Sequence, residues 1–260
     1  MRPALHAEWT KLRTVPGPGW LLLGVIAATV ALSTLVAATL TCPAQGCTPA
    51  VDATRLSLSG IQLGQAVVAV LAVLAVGGEY GTGMIRTTFT AVPRRATVLA
   101  AKAATVTGLV LVAGTVAVLG CVLAGRLILP GNGLTVAQGY PPLSLAHGPT
   151  LRAAAGSVLY LALIALLSIG IATLVRDSAT AIGLVLALLY LFPILLHVVN
   201  DPHWQRHLEQ IAPSEAGLAV QTTVGVSDLP IGPWSGLGVL AAWAVGALLA
   251  GGILLRARDA

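Results

Sequence analysis

Six apolar stretches without a single Lys, Arg, Asp or Glu limit what this chain can become: residues 20–40, 60–76, 103–125, 154–175, 179–199 and 236–255. A helix rises ~1.5 Å per residue, so a ~30 Å hydrocarbon core needs ~20 apolar residues. Five stretches reach that length and the second falls slightly short of it. Their apolarity is continuous, without the period-two alternation of barrel strands, so each reads as a helix. Composition agrees. Hydrophobic residues make up 57% of the 260-residue chain and charged residues only 9%. Soluble domains carry about 25% charged residues. The expected fold class is therefore an all-α integral membrane protein with six transmembrane helices, forming one membrane domain over residues 1–260 with no soluble appendage.

The basic residues orient it. With the N-terminus in the cytoplasm, the inner segments hold Arg2, Lys11, Arg13, Arg86, Arg94, Arg95, Lys102, Arg176, Arg256 and Arg258. The outer segments hold Arg55, Arg126, Arg152 and Arg206, a division of 10 against 4 among the 14 Lys and Arg. The positive-inside rule then places both termini in the cytoplasm of a multi-pass cell-membrane protein. The net charge of +5 reads as topology and contact with anionic lipid. The basic residues form no long stripe, which argues against a nucleic-acid partner. The first apolar run exceeds the ~7–15 residues of a signal-peptide core and is read as a genuine span.

Two inner segments have the pattern of short amphipathic helices. Leu5, Trp9 and Leu12 stand at i, i+4 and i+7, with Glu8, Lys11 and Arg13 off that line. This suits an N-terminal interfacial helix with Trp9 at headgroup level, ended by Pro16-Gly17-Pro18-Gly19. Beyond the second span, Met84, Ile85, Phe89 and Val92 share one helical face and Arg86 and Thr90 the other, with Pro93 closing the element. Gly81 and Gly83 allow a sharp exit from the span. Glu79 sits at its mouth, either solvated or paired with a nearby Arg, and Lys102 marks the return to the membrane. The third inner connection is only Arg176-Asp177-Ser178, where Asp177 or Ser178 can cap the fifth span.

The outer segments are longer. Residues 130–149 are rich in Gly and Pro and read as irregular loop. Residues 204–211 and 213–221 read as short helices, the second with apolar residues that dip into the membrane edge. Cys42 and Cys47 lie in the first outer segment. There they either close a small disulfide ring or stand as two free loop thiols. Cys121 packs inside the third span. Gln62 and Gln65, one turn apart on the second span, bond across a helix contact or line a pathway. Pro193 stands to interrupt the fifth span.

The chain has no G-x-x-x-x-G-K-[ST] nucleotide loop and no G-x-S-x-G elbow, and no catalytic constellation assembles, so it does not read as an enzyme. His197 reads as a packed histidine, because no acidic relay partner is near it in sequence. His203 and His207 share a helix face without a third ligand, so no metal site is expected. No cofactor is expected on the chain.

Glu8-Trp9-Thr10-Lys11-Leu12-Arg13-Thr14 before the first span, and Gly78-Glu79-Tyr80-Gly81-Thr82-Gly83-Met84-Ile85-Arg86-Thr87-Thr88 after the second, resemble the permease subunits of type-2 ATP-binding-cassette (ABC) exporters as they occur in actinobacteria. The likeness spans essentially the whole chain. It implies a half-sized permease in a bacterial plasma membrane, paired with a second copy or a similar permease. Two separate ATPase subunits would bind the ATP and Mg. It also implies that the segment after the second span acts as a coupling helix, through Glu79, Tyr80, Thr82, Met84, Ile85, Arg86 and Phe89. The interfacial helix of Leu5, Trp9 and Leu12 would add a second contact, and residues 204–221 would form short re-entrant helices. The implied activity is ATP-driven export, and the apolar spans suit a hydrophobic or amphipathic substrate. The rivals are a secondary transporter or channel, and a non-transporting membrane scaffold.

Overall fold

The computed structural model describes residues 10, 16–40, 51–81, 84, 95–135, 140–196 and 201–257. The expectations for Leu5, Trp9, Leu12, Cys42, Cys47, Thr82, Ile85, Arg86, Phe89 and His197 fall outside the described residues. The described chain is helical, with no strand among those residues. Its elements are α1 (Pro16–Thr39), the short α2 (Ala53–Ser57), α3 (Ile61–Gly81), α4 (Arg95–Ile128) and α5 (Gly148–Val175). There follow α6 (Ser178–Leu186), a π turn (Ala187–Leu191), α7 (Phe192–Leu196), α8 (Pro202–Ile211), α9 (Pro213–Leu218) and α10 (Pro233–Ala257). Six helical segments are long and apolar enough to cross a membrane, with α6, the π turn and α7 together forming the fifth.

α5 is the centre of the bundle. It packs on α3, α4, α6 and α10, and is the most buried of the six spans. Tyr160, Leu161, Ile164, Leu167 and Ile169 are fully enclosed along it. α1 lies outside, in the groove between α3 and α4. Much of the remaining surface is apolar. Val112, Val116, Leu119, Leu123 and Leu127 of α4 are all at least 47% exposed, a face that needs lipid or another membrane helix.

The helices run alternately up and down, giving two ends. Call them the Asp52 end and the Arg176 end. Trp204 and Trp234 are exposed at the first and Trp20 at the second, the pattern of aromatic belts at two bilayer surfaces.

Several helices are longer than their apolar stretches. α3 continues through Gly77 to Gly81, so Glu79 and Tyr80 belong to its last turn and the helix does not break after Val76. α4 is 34 residues long, about 51 Å at ~1.5 Å per residue. Lys102, expected as a flank, therefore stands about two turns inside a continuous helix. Counting apolar residues stops at the first charge. A helix does not stop there if that charge finds a partner.

The segment before α10 folds back into the bundle at the Asp52 end. α8 is amphipathic, with Trp204 and Ile211 exposed. α9 and the 3-10 turn Ala219–Gln221 are almost wholly buried between α5 and α10. The fit depends on backbone contact. A Cβ on Gly236 would overlap the carbonyl oxygen of Ala216, and one on Gly217 would lie 2.6 Å from the Tyr160 ring. Gly236→Ala should accordingly destabilise the protein by about 1–3 kcal/mol, the usual range for overpacking. A lower thermal midpoint in detergent, with altered fluorescence of Trp243, whose Nε1 donates to Ile211 O at 3.0 Å, is the expected readout.

Candidate functional site

The last turn of α3 gathers the charged groups nearest the expected coupling segment. Lys102 Nζ of α4 donates to Glu79 Oε1 at 2.9 Å and to the Ala75 carbonyl of α3 at 2.8 Å. Glu79 and Lys102 are only 7% and 5% exposed. The ammonium sits at the C-terminal end of α3, where the helix dipole favours a cation. Glu79 lies eighteen positions beyond Ile61, at the other end of α3. At ~1.5 Å per residue that is about 27 Å, so the pair lies near one edge of a ~30 Å apolar core. From sequence, Glu79 is expected to be solvated or paired with an Arg. Lys102, 23 positions along the chain, is a cation that meets it.

The turn between α5 and α6 closes over the same place. Arg176 caps α5 with its N–H on Ala172 O and carries its guanidinium 5.6 Å above the Tyr80 ring centroid, within cation–π range. Gly77 faces Ser178 so closely that a Cβ would lie 3.2 Å from the Ser178 Cα. Asp177 is the N-cap of α6, accepting from Thr180 N at 2.8 Å and Thr180 Oγ1 at 2.6 Å. Of the two capping residues expected, Asp177 does the work. Those two Thr180 bonds hold its carboxyl below its ordinary pKa.

Of the expected coupling residues, Glu79 and Tyr80 meet in this turn, and Met84 is helical and 45% exposed. Lys102 and Arg176 join them, and sequence reasoning missed both as members of the site. Their only signal was their place on the inner side of the charge count.

A second polar assembly lies toward the Asp52 end. Gln65 of α3 accepts from the Tyr160 hydroxyl of α5, which favours the contact reading for that glutamine. One turn earlier, the backbone carbonyl of Gln62 accepts from the Tyr190 hydroxyl, while the Gln62 side chain is exposed. Tyr190 belongs to the π turn, in which Phe192 N–H reaches back five residues to Ala187 O. Pro193, which lacks an N–H and crowds the preceding turn, explains the widened helix just before it. Gln221 Nε2 donates to Ser157 Oγ at 3.0 Å and Arg152 to Thr222 O at 2.6 Å. Asp52 caps α2 through Thr54 N and Arg55 N and also accepts from Thr223 N, Thr223 Oγ1 and Val224 N. One carboxylate thus ties the α1–α3 connection to the segment before α10.

Among the described residues no group of three or more His, Cys, Asp or Glu side chains converges in a way that could hold a metal ion. What the charged turn does chemically is hold three helix ends together. No family model matches the chain, and no curated protein matches it significantly.

Lys102→Met takes away the cation that faces the buried Glu79 carboxylate and should lower stability by about 3–5 kcal/mol. Glu79→Gln with Lys102→Met removes both charges and should recover most of that loss, as read by thermal unfolding in detergent. The Asp177 cap carries its own pH signature. Its stabilisation is present above the ordinary carboxyl pKa of 3.8 and is lost as pH falls through the lowered folded value. Amide exchange at Thr180 should show no loss of protection between neutral pH and pH 5, and increased opening only under more acidic conditions.

Proposed function

We propose that this chain is the membrane-spanning permease subunit of a type-2 ABC exporter. A separate ATPase subunit hydrolyses ATP and drives a hydrophobic or amphipathic substrate out of the cytoplasm. The chain sits in a bacterial plasma membrane with the Arg176 end and both termini in the cytoplasm, and acts as a homodimer or beside a similar permease. The sequence likeness before α1 and after α3 supports this reading, as does the excess of basic residues on the inner side.

The observation that carries it is Met84. This apolar residue stands helical and exposed just beyond the charged end of α3. Together with the apolar face of Ile85, Phe89 and Val92 in the sequence, it offers a soluble partner a docking ridge. The chain carries no nucleotide loop of its own, and in this reading the work comes from such a partner. A secondary transporter or channel is the second reading. It is favoured by the π turn and Pro193 in the fifth span, since interrupted helices mark many transporter sites.

Affinity purification of the tagged chain from native membranes in mild detergent, followed by mass spectrometry, separates the two readings. A stoichiometric P-loop ATPase is expected. Recovery of the chain alone, under conditions that preserve a known ABC complex, would favour the secondary transporter. Replacing Met84 and Phe89 together with Asp should abolish recovery of the ATPase while leaving membrane insertion intact. Unchanged recovery would remove the docking assignment.

A further inference from the structure

Arg176 is the only non-glycine residue with positive φ among those described, at 64°. It occupies the helix C-cap position where glycine is usual, because a Cβ is disfavoured there. Backbone geometry alone therefore favours replacing it. The side chain gives the reason for an arginine, since its guanidinium covers Tyr80. On the same α3 turn, Lys102 holds Glu79 and the Ala75 carbonyl. Between these contacts, Gly77 lets the α5–α6 turn rest directly on α3 through Ser178. Three separate elements, α4, the end of α5 and the start of α6, are thus fastened to a single turn, and the chain leaves that turn at Gly81.

We propose that the last turn of α3 is a joint, with Lys102 and Arg176 as its positioning residues. Lys102 fixes the turn to α4, and Arg176 fixes it to the start of α6. A displacement of the chain beyond Gly81 therefore moves α4 and α6 together instead of bending α3 alone. The origin of that displacement, a docked ATPase, rests on the permease reading. The joint itself does not. α6 is suited to follow, because the fifth span is the least buried of the six and its π turn separates the part fastened at Ser178 from the part beyond Pro193.

The test is hydrogen exchange by mass spectrometry on the full chain in lipid nanodiscs. Arg176→Gly keeps the left-handed backbone and removes only the side chain. Exchange in residues 78–81 should rise about fivefold, the size of one partly exposed cation–π contact. The neutral pair Glu79→Gln with Lys102→Met should raise exchange in residues 177–182 as well as in α3. A local packing role would confine the change to α3 and α4. Tyr80→Leu tests the same contact from the other side should the Arg176 variant fail to fold. Unchanged exchange at 177–182 in the neutral pair, or at 78–81 in both the Arg176→Gly and Tyr80→Leu variants, overturns the joint. Because these readouts need no ATPase, a failed purification of the partner and a failed joint give different results.

Discussion

In a bilayer an apolar side chain gains little by leaving lipid for protein, so six greasy helices are not driven together by the force that folds a soluble core. What remains is close van der Waals packing and polar contact between helices. The fold follows that constraint. α5 meets α10 where Gly170 faces Ala247, so closely that a Cβ would lie 2.6 Å from the Ala247 carbonyl carbon. α1 meets the turn leading into α3 where Gly60 N–H donates to Ser33 Oγ at 3.0 Å and a Cβ on Gly60 would overlap the Thr29 carbonyl. Each interhelical hydrogen bond in a membrane contributes only about 0.6 kcal/mol on average. Many small contacts must act together, and backbone proximity lets them.

The polar contacts are not spread evenly. At the Asp52 end, Asp52, Arg152, Ser157 and Gln221 stitch the connections between helices to one another, with Asn132 Nδ2 reaching Ala37 O at 2.8 Å. At the Arg176 end, the ion pair and the cation–π contact converge on one turn of α3. Between the ends, α10 presents Ala242, Gly246, Ala247 and Ala250 to an open apolar groove of about 620 Å³ shared with α5 and α6. Few polar groups cross there. Relative motion of α6 and α10 costs fewer specific contacts in that middle layer than it would at either end.

Six spans, two short helices before α10 and the Asp177 cap could be read from sequence, because each leaves a local mark: an apolar run, a Pro-bounded amphipathic stretch, an Asp two residues after a helix. The groups that fasten the ends together left no such mark. Lys102 reads as a flank because hydropathy counts its charge and cannot see Glu79 on the neighbouring α3. Asp52 bonds to Thr223, 171 positions away. Arg176 sits where pattern rules expect glycine. In each case the missing information is a contact between distant parts of the chain, and such a contact overrides local propensity.

That override has a physical consequence for the pair at the end of α3. Moving two charges out of water costs several kcal/mol per ion, and a salt bridge repays this only with good geometry and further hydrogen bonds. Lys102 has both, through Glu79 and the Ala75 carbonyl. An apolar pair of similar size would serve packing as well, since buried pairs often add no net stability over hydrophobic substitutes. An ion pair adds direction. It resists sliding of α4 along α3, which a leucine pair would permit. Direction matters most at the end of a helix, because a force applied beyond that point acts on the last turn first. The Glu79 carboxylate of that pair stands in the last described turn of α3, one residue before Tyr80 and two before Gly81.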